Sequence, residues 1–140
     1  MSKHYFSSAQ QNTIIERAVG CCEYCKSQMH YSGQSFEIDH INPASRGGET
    51  SLENLALACG GCNRYKSNKV QGVDPTTGET VALFNPRAQQ WETHFGWVED
   101  YTQMLGLTPT GRATIGTLKL NRIGLLNMRR VLCMAGKHPP

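Results

Sequence analysis

No stretch of this 140-residue chain approaches the ~18 consecutive apolar positions that a membrane-spanning helix needs. The opening run Met1-Ser2-Lys3-His4-Tyr5-Phe6 lacks the apolar centre of a secretion signal, which points to the cytoplasm. Internal repeats and low-complexity runs are also missing, so solenoids and polar disordered tracts are set aside. Charged residues reach only 18% against 39% hydrophobic, an ordinary balance for one globular domain with peripheral additions. Acidic residues stop at Asp100. Through Thr110 there are eight basic and eleven acidic residues, a balance of −3. From Gly111 onward there are six basic residues (Arg112, Lys119, Arg122, Arg129, Arg130, Lys137) and no acid. A basic tail on a mildly acidic body suits contact with a polyanion, and equally a solvated helix face.

Periodicity gives a coarse map. Residues 8–19 read as a helix with Ile14, Ile15, Ala18 and Val19 on one side and Gly20 as its stop. Residues 36–41 read as a strand ended by Asn42-Pro43, and 55–58 as a short second strand. A polar helix is expected over 63–68. Residues 70–80 are rich in turn signals (Asp74-Pro75, Thr77-Gly78) and mark the end of this unit. Residues 84–97 carry Phe84, Trp91, Phe95 and Trp97 and are expected to pack back as a strand and a helical turn. One or two helices follow Pro109, with Thr110 and Asn121 as candidate N-caps.

Six cysteines would suit a disulfide scaffold in a secreted chain, but in a reducing compartment pairs spaced two apart favour metal. Cys22/Cys25 and Cys59/Cys62 form two Cys-x-x-Cys knuckles, enough for a tetrahedral four-thiolate zinc site with a whole ββ unit threaded between them. Four thiolates leave no open position for water, so the zinc is read as structural. Cys21 competes with Cys22, but its spacing to Cys25 is one residue too long; Cys133 stands alone.

Between the knuckles lie Asp39-His40 and Asn54, and Asn63 follows Cys62 directly. The segments Phe36-Glu37-Ile38-Asp39-His40-Ile41, Ser45-Arg46-Gly47-Gly48, Leu52-Glu53-Asn54-Leu55 and Ala58-Cys59-Gly60-Gly61-Cys62-Asn63-Arg64-Tyr65-Lys66 resemble the HNH (ββα-metal, His-Me finger) endonucleases in order and spacing. The resemblance covers roughly Gly20 to Lys69. It implies an α+β fold: a ββα-metal core stapled by the four-cysteine zinc site, an N-terminal helix, and a C-terminal aromatic and helical extension. On that reading residues 1–70 form the nuclease core with its knuckles, and 71–140 an extension that packs on it with a basic helix.

The resemblance also implies roles. His40 would be the general base that takes a proton from water, a task suited to imidazole near neutral pH. Asp39 and Asn63 would hold one divalent cation against the scissile phosphate. Asn54 would hydrogen-bond near His40 and fix the strand–loop geometry. Arg46 and Lys66 are candidates for phosphate contacts. Asn63 stands where the family often has His; an amide oxygen beside a carboxylate favours Mg²⁺ or Mn²⁺ over later transition metals. Asp39 and His40 are neighbours on a strand and can share a site only where the strand twists or ends. The remaining histidines, His4, His30, His94 and His138, have no such context, and His94 is the one to watch.

If residues 119–132 form one continuous helix, Lys119, Arg122, Arg129 and Arg130 fall on one basic face, able to follow a phosphate backbone. DNA is therefore the expected partner, and cutting both strands with one active site would favour a homodimer. The alternative is a catalytically silent zinc module that binds nucleic acid or protein.

Overall fold

A computed structural model describes residues 6–140; His4 and most of the N-terminal stretch weighed as a signal lie outside them. Helix α1 (Ser8–Arg17) begins with a capping box in which the Ser7 hydroxyl accepts from Gln10 N and the Gln10 amide oxygen accepts from Ser7 N. It ends where Val19 and Gly20 turn to positive φ. Its buried residue, Ile14, packs on Leu55 and Leu57. Arg17 ties the far end down by donating to the carbonyls of Leu52 and Leu55, at 2.8 and 2.6 Å.

Strand β1 (Phe36–His40) pairs antiparallel with β2 (Leu55–Cys59), from Phe36 opposite Cys59 to His40 opposite Leu55. Every residue of β2 is buried. Leu55 and Leu57 meet α1 on one face, while Ala56 and Ala58 join the larger core on the other. Helix α2 (Gly60–Lys66) follows without a loop, starting earlier than the expected 63–68 because Cys59 itself takes the N-cap position. The first knuckle docks on β2: Glu23 N donates to Leu57 O, Leu57 N donates to the Glu23 carboxylate, and Glu23 pairs with Arg87.

Residues 70–80 do more than turn. Strand β3 (Gln71–Val73) pairs with β4 (Thr80–Ala82), the Asp74 carboxylate capping the turn through Thr76 N and the Thr77 hydroxyl. Asp74 also receives a bidentate Arg112, both contacts at 2.9 Å. The aromatic stretch gives a helical turn, α3 (Trp91–His94), leading into β5 (Phe95–Trp97), which pairs with β6 (Met104–Gly106). Phe84 packs edge-on against Tyr24 and Phe95, and Trp91 Nε1 donates to Tyr24 O at 3.1 Å. The aromatic segment thus closes over the first knuckle.

Helix α4 (Pro109–Leu118) is capped by Thr108 rather than Thr110, and α5 (Ile123–Met134) begins after Arg122 rather than Asn121. The Asn121 amide instead pairs with both backbone groups of Met104. Lys119, left-handed at φ 51°, breaks the chain between the helices, so the continuous helix over 119–132 does not form. Leu118, Leu120 and Leu125 from this region join Cys22, Tyr24, Cys59 and Phe84 in one core. The architecture is α+β, with three two-stranded antiparallel sheets among the described residues. None of the described helices is long and apolar enough to cross a membrane.

Candidate functional site

The two knuckles converge. The sulfurs of Cys22, Cys25, Cys59 and Cys62 all lie within 4.8 Å of one another, and all four residues are buried. Cys25 and Cys59 Sγ are 3.7 Å apart, close to the ~3.8 Å edge of a tetrahedron with ~2.3 Å zinc–sulfur bonds. Burial pushes the Cys22 thiol up, while hydrogen bonds from Cys22 and Cys25 pull Cys59 down. Four sulfurs packed so tightly ionise together only around a cation, and the donor set fits zinc. Cys21 Sγ faces Val19 O at 3.5 Å and Cys133 Sγ faces Asp100 O and His138 O, so neither joins the cluster.

Strand alternation separates Asp39 from His40. Glu37 and Asp39 face α2, where Asn63 Nδ2 donates to the Glu37 carboxylate and Lys66 reaches Asp39. Asp39 is only 4% exposed. Its Oδ2 accepts from the Tyr24 hydroxyl at 2.7 Å and lies 3.2 Å from Lys66 Nζ; its Oδ1 is 3.3 Å from the same nitrogen. Burial pushes the Asp39 carboxyl up, against the pull of Lys66 and Tyr24. Lys66, 1% exposed, also donates to His40 O and Ile41 O, each at 3.1 Å. It therefore pins the end of β1 to α2. This corrects the expectation that Lys66 meets phosphate: its ammonium is spent inside the fold.

His40, half-buried on the other face, places Nε2 2.9 Å from Thr50 Oγ1, with its ring 6.4 Å from Phe6. Asn54 holds the connecting loop. Its Oδ1 accepts from Asn42 N at 2.8 Å, and its Nδ2 donates to Asn42 O and Glu49 O at 2.9 and 2.7 Å. Gly48 fits this loop because a Cβ there would overlap the Asn42 carbonyl. Asn54 thus bonds to the loop that carries Thr50, which in turn bonds the imidazole.

The basic residues divide sharply. Arg46 is exposed, donates to Asn68 O at 2.7 Å, and lines with Lys69, Gln71 and Thr80 an open cleft of about 390 Å³. Lys119 and Arg130 are exposed, Lys119 lying 5.9 Å over the Tyr65 ring. Arg129, by contrast, is 4% exposed: it donates to Thr102 O, Leu120 O and Asn121 Oδ1 and stacks on Trp97 at 5.0 Å. Arg122 points its guanidinium at the Cys59 and Cys62 sulfurs. The expected four-residue basic face is not formed, because the break at Lys119 and the burial of Arg129 divide it. His94 is packed, 5.8 Å from the Phe84 ring with Nδ1 2.6 Å from Thr108 Oγ1.

Sequence reasoning missed Tyr24, Glu37 and Thr50. Glu37 had a signal, since it lies two residues from Asp39 and so shares its face. Tyr24 sits inside the first knuckle, and no residue pattern connects it to Asp39. Thr50 lies on a loop whose path depends on Asn54.

The HNH endonuclease family matches residues 22–69, from the first ligand of the knuckles through α2. The match covers about a third of the chain and makes that segment similar to a nuclease family. No curated protein and no solved structure matches the chain.

Proposed function

We propose that the HNH segment over residues 22–69 makes this protein an endonuclease that hydrolyses DNA phosphodiester bonds with a divalent cation. The single observation behind this reading is the His40–Thr50–Asn54 arrangement: an imidazole at the strand end, oriented by a hydroxyl on a loop that Asn54 clamps. His40 takes the proton of the attacking water, a step worth about 10²–10⁴-fold in general base catalysis. Thr50 and Asn54 act through His40 as positioning residues. Asp39 and Asn63 are the oxygen donors that would hold Mg²⁺ or Mn²⁺, which would supply charge stabilisation for the phosphoryl transition state and leaving oxygen. Both lie on the α2 side of β1, across it from His40, so the scissile phosphate would have to meet both faces at the strand end. Among the described residues Asp39 Oδ1 accepts one hydrogen bond, from Lys66 Nζ at 3.3 Å, which leaves it lone-pair capacity for the cation. Lys66 beside it opposes a second positive charge, so cation affinity is weak until phosphate oxygens join. Arg46, Arg64, Lys69 and Lys119, all exposed, and Arg130 on α5 are among the cations available to the DNA backbone.

One observation favours a second reading, a catalytically silent zinc module: Asp39 is sealed within an ion pair. Supercoiled plasmid and zinc-loaded protein separate the two. With Mg²⁺ or Mn²⁺ added, the endonuclease yields relaxed and linear products, and Ni²⁺ or Zn²⁺ serves poorly. Protein that binds the plasmid yet cuts with none of these cations is the silent module.

A further inference from the structure

The four-cysteine centre is not completed by residues 22–69 alone. Four thiolates around one Zn²⁺ leave a formal charge of about −2, buried in a core where such charge is costly unless countered. Arg122, from the far end of the chain, supplies the counter-charge at contact distance. Its Nη2 lies 3.5 Å from Cys59 Sγ, and its Nη1 and Nη2 lie 3.6 and 3.7 Å from Cys62 Sγ. The remaining Nη1 contacts are to Leu118 O and Lys119 O, each at 3.2 Å. Tyr65 covers the guanidinium at 5.5 Å.

Three features show that this placement is built. Gly61, between Cys59 and Cys62, has no side chain; a Cβ there would overlap Arg122 Nη2. The left-handed turn at Lys119 delivers Arg122 to the knuckle as the residue that starts α5. Among the described residues no carboxylate pairs with Arg122 or with the neighbouring Arg129, the ion pairs being Lys66–Asp39, Arg87–Glu23 and Arg112–Asp74. Arg129 Nη2 faces Cys25 O at 3.5 Å, on the other side of the cluster. The anions facing Arg122 are the thiolates, while Arg129 meets oxygens alone.

We propose that Arg122 is a working part of the zinc centre, neutralising and hydrogen-bonding the Cys59 and Cys62 thiolates so that zinc retention depends on the C-terminal helix as well as on the matched segment. This rests on the zinc reading of the four cysteines and is independent of whether the protein cuts DNA. N–H···S bonds to a metal thiolate withdraw electron density from sulfur, hold the ligand in place and shield it from attack. Partners of this kind are worth about 10–100-fold in metal affinity.

The test uses the full chain as wild type, Arg122→Met and Arg122→Lys. Zinc release to a colorimetric pyridylazo chelator should be at least ~10-fold faster for Arg122→Met. Arg122→Lys, which keeps the charge but loses the fork, should fall between. In Co²⁺-loaded protein the sulfur-to-cobalt charge-transfer band should move to longer wavelength in Arg122→Met, because the thiolates become easier to oxidise. Should Arg122→Met fail to fold, the same two readouts on Arg122→Lys decide. Release and band both unchanged overturn the proposal. Faster release with an unmoved band overturns it too, in favour of plain packing. A wild type that takes up neither zinc nor cobalt overturns the metal centre itself.

Discussion

The two parts of this chain handle positive charge in opposite ways. Around the β1–β2–α2 unit, Arg46, Arg64 and Lys69 stand in solvent, and only Lys66 is drawn inside, by Asp39. In the C-terminal third three of the four guanidiniums turn inward, Arg112 to Asp74, Arg122 to the cysteine sulfurs and Arg129 to three oxygens and a tryptophan face, and Arg130 stays in solvent. An arginine can be buried where its planar fork is saturated by oxygens or sulfur, since an unsatisfied buried donor costs about 1–3 kcal/mol. A run of basic residues without acids is therefore no measure of the surface offered to a polyanion. Two of the four residues expected on one basic face, Arg122 and Arg129, are turned into the interior around the cysteines.

This contrast can be broken in several places. The largest effect is expected at the knuckles: structural zinc is worth roughly 10–16 kcal/mol in small zinc modules, so Cys59→Ser should abolish cooperative melting and lower zinc stoichiometry. A sharp wild-type-like melt would remove the staple from the account. Next comes Lys66→Met, which strands the Asp39 carboxylate in the core and should destabilise by about 3–5 kcal/mol. Burial already raises the Asp39 pKa, and losing Lys66 raises it further. The folded variant then binds that proton more tightly than the unfolded chain does, so its deficit should shrink as pH falls and grow as pH rises through the folded pKa. Denaturant melts across pH settle the sign.

Arg129→Met should lose at least ~2 kcal/mol, because Thr102 O, Leu120 O and Asn121 Oδ1 lose a charged donor. Lys69→Gln should change stability by under ~0.5 kcal/mol, yet reduce the log–log salt slope of DNA binding by about 0.9. If Arg129→Met alters the salt slope while leaving the melt untouched, the division between inward and outward cations is wrong.

How far the sequence carried the reading follows the same division. The knuckles, β1 and β2 were legible because their constraints are local, two-residue cysteine spacing and short apolar runs bounded by turn residues, whereas the part assigned to Asn54 came from the resemblance alone. The β3–β4 hairpin was not, since Gln71-Gly72-Val73 is too short and too exposed to show alternation, and its pairing is fixed by Asp74 and Arg112. The break after α4 carries no glycine or proline; Lys119 adopts φ 51° so that Leu120 and Arg122 can reach the core and the cysteines. Lys66 and Arg129 looked like surface charges because burial depends on partners distant in sequence, Asp39 for one and the Thr102 and Leu120 carbonyls for the other. Removing 111–140 as a detachable basic tail would take Leu118, Leu120 and Leu125 out of the core.

The division at issue is that His40 does chemistry while Thr50 and Asn54 hold it in place. It is tested most directly by His40→Ala, measured for plasmid cleavage with Mg²⁺ alongside zinc content, melting temperature and duplex affinity. Cleavage should fall by at least ~10²-fold with zinc, fold and affinity close to wild type. Cleavage by His40→Ala at the wild-type rate would contradict it.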